Sequence, residues 1–101
     1  MEENSKYQLQ LSRSTPLFIA LSDPIRQDIF NLLVHSGPLN VMEITVQTDL
    51  ARPTISHHLK LLLEAGTLSV EKRGVKRFYS AEPQAVANQL QGLARAFDNR
   101  E

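Results

Sequence analysis

No cysteine occurs among the 101 residues, and that absence constrains the fold more than any residue present. Disulfide staples, thiolate metal sites, cysteine nucleophiles and thiol redox switches are excluded together, so a small hydrophobic core must carry the structure unaided. With 42% apolar and 22% charged residues the chain builds one domain and is too short for two cores, which excludes a multi-domain enzyme. Two Tyr, four Phe and no Trp supply few large side chains to such a core. Sharing it with a second copy is therefore an expected source of stability.

The charge is neutral in total, 11 basic against 11 acidic residues, but it is segregated. Between Ala51 and Ser80 stand Arg52, Lys60, Lys72, Arg73, Lys76 and Arg77 against only Glu64 and Glu71, a net +4 that leaves −4 on the remainder. A local positive excess is the electrostatic footprint of a nucleic-acid partner. The first residues are polar, and no stretch approaches the roughly 20 apolar residues of a membrane span, so a cytoplasmic protein without membrane insertion is expected.

Periodicity divides the chain into short elements. Residues 1–14 lack a clear period and are expected to form a flexible arm, from which Tyr7, Leu9 and Leu11 are able to dock; residues 15–101 then form the folded domain. Thr15-Pro16 has the chemistry of a helix start, and Leu17, Phe18, Ala20 and Leu21 fill a short apolar helix. Asp23-Pro24 repeats the signal, and Ile25, Ile29, Leu32 and Leu33 form the stripe of a second helix stopped by Gly37-Pro38. Asn40 with Glu43 resembles a capping box opening a third helix, which turns Val41, Ile44 and Thr45 inward and fades at Thr48-Asp49. From Arg52 to Ala65 a fourth helix buries Ile55, Leu59, Leu62 and Leu63 and is closed by Gly66. Leu68 to Lys72 and Val75 to Ser80 read as two strands around Arg73-Gly74, a hairpin with a basic tip. Pro83 opens a last helix with the stripe Val86, Leu90, Leu93, Ala94 and Phe97, and no charged side chain lies between Pro83 and Ala94. Such a helix is poorly suited to a monomer surface, so Leu17, Phe18, Leu90, Leu93 and Phe97 are expected to build a homodimer interface.

The predicted fold is mainly α with a small β-hairpin, in the order α-α-α-α-β-β-α. Two short helices joined tightly at Thr48 to Ala51, followed by a basic hairpin, make a winged helix-turn-helix. At about 100° per residue, Pro53, Thr54, His57, Lys60 and Leu61 fall opposite the Ile55 stripe, with Arg52 and Ser56 on its flanks. That face suits a major groove. Arg52 carries the paired donors that read guanine, Thr54 a methyl for thymine, and Ser56 and His57 polar groups for base edges or phosphates. Lys60, Lys72, Arg73, Lys76 and Arg77 are expected to meet phosphate or the minor groove of double-stranded DNA.

Blander readings exist for each feature. The polar face of the fourth helix can be an ordinary solvated surface, or the winged helix can be a protein-interaction module docking an acidic partner. His57 and His58 are adjacent on a helix and cannot chelate one metal as an i, i+4 pair would, which leaves a DNA contact for His57 and a packing role for His58. His35 is read as structural, near a helix C-terminus. Ser56 and His57 point different ways, so no nucleophile and base are paired and no enzyme is expected.

In the stretches Ala20-Leu-Ser-Asp-Pro-Ile-Arg26, Arg52-Pro-Thr-Ile-Ser-His-His-Leu-Lys-Leu-Leu62 with Glu64-Ala-Gly66, and Arg73-Gly-Val-Lys-Arg-Phe-Tyr79, the chain resembles the ArsR/SmtB family of bacterial winged-helix repressors. The resemblance runs over roughly residues 15–97. It implies a homodimer paired through its first and last helices, with the helix carrying Arg52, Thr54, Ser56 and His57 as the DNA-reading element. It also marks departures. Asn40 and Met42 stand at the family's thiolate positions, and the last helix offers Gln84, Asn88, Gln89 and Gln91 in place of metal-binding Asp and His. No metal or other cofactor is expected. Release from DNA is left to a sequestering protein, a small organic effector or a change in repressor concentration. Ala51 stands where the family favours a serine N-cap, and Thr48 or Asp49 is expected to compensate unless the helix start orders on DNA.

Overall fold

The structure, a computed structural model, describes residues 6–98. The elements run α1 (Lys6–Arg13), α2 (Thr15–Leu21), α3 (Pro24–Ser36), α4 (Val41–Thr48), α5 (Arg52–Glu64), β1 (Leu68–Arg73), β2 (Lys76–Ala81) and α6 (Pro83–Asp98). The predicted order is therefore found with one helix added in front, in a mainly helical winged fold. No helix among the described residues is long and apolar enough to cross a membrane.

The added helix corrects the expected arm, of which residues 1–5 lie outside the described residues, as do 99–101 at the other end. Tyr7, Leu9 and Leu11 alternate as in a strand, but Tyr7 and Leu11 also stand four apart on one helical face, and that helix packs along α6, where the Tyr7 ring stacks on Phe97 at 5.1 Å. Leu9 and Leu11 stay exposed. The chain passes from α1 to α2 through Ser14, whose N–H and hydroxyl both donate to the Gln10 carbonyl. Ser14, not Thr15, is the N-cap residue of α2, and it lies in the helical region of backbone space.

The core gathers Ala20 from α2, Ile29 and Leu33 from α3, Ile44 from α4, and Ile55, Leu59 and Leu62 from α5. In α3 the inward face is rotated from the expected stripe: Arg26, Ile29 and Leu33 are buried while Ile25 is exposed. A guanidinium can replace an isoleucine there because its donors are matched. Nε donates to the Ala20 carbonyl (2.9 Å) and Nη2 to the Ile19 carbonyl (2.8 Å) at the C-terminal end of α2, where the Ser22 hydroxyl also donates to Ile19. Gln27 takes the Leu21 carbonyl at 2.7 Å.

Local chemistry sets the other boundaries. The capping box is present in full, with the Asn40 side chain accepting from the Glu43 N–H and Glu43 accepting from the Asn40 N–H, each at 2.9 Å. At the end of α5 the Gly66 N–H bonds the Leu63 carbonyl and the Thr67 N–H the Leu62 carbonyl, a Schellman closure that needs the positive φ of 76° at Gly66. The hairpin register pairs Arg73 with Lys76, leaving Gly74 and Val75 as the loop. Gly74 has φ 63°, the pattern of a type II′ turn, so Val75 is a tip residue, 95% exposed, and not the first residue of the second strand as expected. The inner end of the wing is pinned by reciprocal backbone bonds between Leu39 and Tyr79 and by the Glu82 N–H on the Thr67 carbonyl.

The chain is elongated, 50 × 22 × 21 Å with a radius of gyration of 15.8 Å. A compact domain of about 100 residues has roughly 13 Å. No residue of α6 is fully buried.

Candidate nucleic-acid interface

Helix α5 divides cleanly. Its inner face buries Ile55, His58, Leu59 and Leu62, which leaves Arg52, Pro53, Thr54, Ser56, His57 and Lys60 all exposed on the outer side. The connection from α4 turns through Asp49, held in the left-handed region at φ 60°, the one non-glycine residue with positive φ among those described. Aspartate tolerates that conformation better than branched residues do, and it gives the tight link a helix-turn-helix needs.

The wing places Lys72, Arg73, Lys76 and Arg77 in solvent. Its register sets Lys72 opposite Arg77 and Arg73 opposite Lys76, two like-charge pairs that destabilise a free hairpin. Arg73 is partly relieved: it pairs with Glu71 at 3.1 Å and lies over the Phe78 ring at 4.6 Å, drawn back along the strand. Lys72, Lys76 and Arg77 have no such partner among the described residues. A groove of about 240 Å³ runs between the starts of α4 and α5 and the wing. It brings Arg52 together with Lys76 and Arg77, beside Asn40 and Tyr79. That union of residues more than twenty positions apart has no signal in the sequence.

A second cluster, missed by sequence reasoning, lies on the inner side of α5. His58 Nδ1 is 3.1 Å from Arg26 Nη1 and 3.6 Å from an Asp23 carboxylate oxygen, and Arg26 Nη1 is itself 3.4 Å from that oxygen. Asp23, expected to cap α3, makes no side-chain cap bond and faces this cluster instead. Burial holds the imidazole below its ordinary pKa; Asp23 raises it, while Arg26 and the neighbouring His57 lower it further. Its neutral form accepts from Arg26 at Nδ1 and carries its proton on Nε2.

Comparison with known proteins now bears on these features. Residues 23–70, from the start of α3 into β1, match the family described as bacterial regulatory proteins of the arsR family. The chain is 37% identical over 67 residues to an HTH-type transcriptional regulator of Methanocaldococcus jannaschii, across 66% of this chain and 75% of that one. It is 36% identical over 64 residues to the transcriptional repressor SdpR of Bacillus subtilis, covering 63% and 70%. The chain belongs to the arsR family of DNA-binding transcriptional regulators. In fold it is similar to a solved homodimeric winged helix-turn-helix DNA-binding domain from Mycobacterium bovis, with a TM-score of 0.75 over 100% of this chain and 94% of that one at 20% identity.

At the thiolate positions of the resemblance, the Asn40 amide is engaged in the capping box and Met42 is an exposed thioether, so these residues do not fit a thiolate-bound metal. On α6, Gln84 donates to Asn88 (2.9 Å) and Gln89 to the Ala65 carbonyl (2.7 Å), the latter tying α6 to the end of α5.

The start of α5 lacks a side-chain cap. Ala51 has the extended backbone of an N-cap (φ −68°, ψ 147°) with nothing to offer the Thr54 N–H. The expected compensation is absent: Thr48 donates its hydroxyl to the Ile44 carbonyl, and Asp49 is turned into the left-handed link. Ala51→Ser therefore supplies a missing acceptor. It is expected to stabilise the free protein by about 0.5–1 kcal/mol, read as a higher urea midpoint with an unchanged slope.

Proposed function

We propose that the chain acts in the cytoplasm as a homodimeric repressor that binds a near-palindromic operator, reading bases with Arg52, Thr54, Ser56 and His57 and holding phosphates with Lys60, Lys72, Lys76 and Arg77. The observation that carries this reading is the convergence of Arg52 on Lys76 and Arg77, which joins the outer face of α5 to the wing in one cationic surface. Pro53 lies within that face and shapes its first turn. Arg73 is assigned a secondary part, because Glu71 already neutralises it.

The homodimer rests on the opposite surface. Phe18 is 42% exposed and Leu90 47%, Leu93 is half-buried, and Phe97 stays 38% exposed beside the Tyr7 ring that stacks on it. Leu17 drops out of the expected interface: at 1% exposure it already belongs to the monomer interior. Fully burying one large apolar side chain contributes about 1.5–3 kcal/mol, so a few of these residues meeting their copies would favour pairing. The absence of cysteine and the engaged amides support release by a non-metal signal, a sequestering protein, a small organic effector or a fall in repressor concentration.

DNA fragments selected from the source genome supply the operator for the test. Arg52→Ala is expected to cost about 1–3 kcal/mol on that operator and relax preference at one position per half-site, whereas Lys76→Ala weakens all sequences alike. Equal losses on operator and random DNA for Arg52→Ala would remove Arg52 from the reading role. Leu90→Glu is expected to sediment as a monomer at micromolar concentration where the unmodified chain sediments as a dimer; an unmodified chain that is monomeric there contradicts the proposed assembly.

A further inference from the structure

Among the described residues, one largely buried cluster of titratable groups lies directly behind the outer face of α5, and the proposed function assigns it no task. His58 follows His57 in the chain, yet the two side chains face opposite ways, His57 into solvent and His58 onto the corner between α2 and α3. The charged and titratable groups facing His58 are Asp23 at the start of α3, Arg26 on α3 and His57 on α5. From α2 come only the Ile19 and Ala20 carbonyls, both held by Arg26.

The geometry of Nδ1 gives this corner two arrangements. Arg26 Nη1, a permanent donor, lies at 3.1 Å, and an Asp23 oxygen, a permanent acceptor, at 3.6 Å. A neutral imidazole accepts from Arg26, completing a chain of bonds from the end of α2 through Arg26 to α5. Once a proton from solvent occupies Nδ1, that bond is impossible, two cations stand face to face, and the N–H turns to Asp23. Arg26 cannot neutralise, so the imidazole or the guanidinium must move.

We propose that His58 is a positioning residue for DNA recognition, its Nδ1 exchanging Arg26 for Asp23 on protonation, so that neutral His58 fixes the seat of α5 on the α2–α3 corner and protonated His58 loosens it. The inference rests on the DNA reading above. Burial opposes the charged form, so the unfolded chain takes up the proton first as pH falls below 6.5. Stability contributed by the neutral imidazole is complete above that value and is lost as pH falls toward the lowered folded-state pKa. His57 faces solvent on the other side of the same helix. A comparison that leaves His57 in place therefore isolates His58.

The test measures operator affinity of the full chain by fluorescence anisotropy between pH 7.5 and 5.0, for the unmodified protein, His58→Asn and Asp23→Asn. Asparagine keeps an acceptor near Nδ1 and does not titrate. The ratio of unmodified to His58→Asn affinity is expected to fall by about tenfold over this range, one proton per protomer giving up to tenfold per pH unit below the folded pKa. In Asp23→Asn, which removes the partner of the protonated form, the midpoint of that fall moves to lower pH. Parallel pH profiles for the unmodified protein and His58→Asn overturn the proposal. A second arm needs no DNA: in the unmodified protein the backbone amide resonances of Arg52 to His57 are expected to shift with the midpoint of the His58 ring. Amides that stay still through the His58 titration overturn it equally, even if no operator is bound at any pH, a result that would count separately against the DNA reading.

Discussion

The guanidinium of Arg26 joins three helices at one point, and the placement of the recognition helix depends on it. Two of its nitrogens close the end of α2, and the third meets Asp23 and the imidazole of α5. A charge that is only 9% exposed is tolerated because every face of it has a partner. Removing the guanidinium would take the partner from the Ala20 carbonyl and from a ring nitrogen, at about 1–3 kcal/mol for each group left unsatisfied, while the Ile19 carbonyl keeps the Ser22 hydroxyl. No buried side-chain polar atom lacks a hydrogen-bond partner among the described residues, so this corner is a closed network.

Outside that corner the molecule is built around unfavourable charge placement. The wing pairs lysine and arginine across both positions next to its tip, and a net charge near zero is reached only because acidic residues are concentrated elsewhere. A free hairpin would be more stable with opposite charges in those pairs. The arrangement becomes favourable once a polyanion lies against it, and the proximal end of the hairpin, pinned at Leu39 and Tyr79, holds the tip in place for that encounter. Stability is supplied by the inner half of the domain and is lowered at its cationic edge.

Much of this was legible in the sequence where one local rule decides the outcome. The stripe Ile55, Leu59 and Leu62, the capping box at Asn40 and Glu43, and the glycine closure at Gly66 each follow from spacing alone, and each is present. The misreadings occur where a distant partner overrides local pattern. Ile25 is an apolar residue at a plausible stripe position, but Arg26 displaces it because α2 and α5 present acceptors to it. Helix α1 shows both a strand-like alternation and a short helical face of Tyr7 and Leu11, and its packing on α6 selects the helix. Leu17 looks like an interface residue and is taken up by the monomer interior. Arg73 counts as a free cation in the sequence, whereas the fold sets Glu71 and Phe78 beside it. His58, adjacent to a solvent-facing histidine, reads as packing until the Asp23 and Arg26 side chains are placed around it. In each case the missing information is the chemistry of the facing surface.

The cationic surface of α5 and the wing is proposed to meet the phosphate backbone. The slope of log affinity against log salt concentration for operator DNA measures this directly, because each neutralised phosphate releases condensed counterions. Four unpaired or exposed cations per protomer, acting in a dimer, give an expected slope on the order of −5 or steeper. A slope shallower than about −2 would mean that few phosphates are engaged, as in a protein–protein interface, and would contradict the assignment of this surface to DNA.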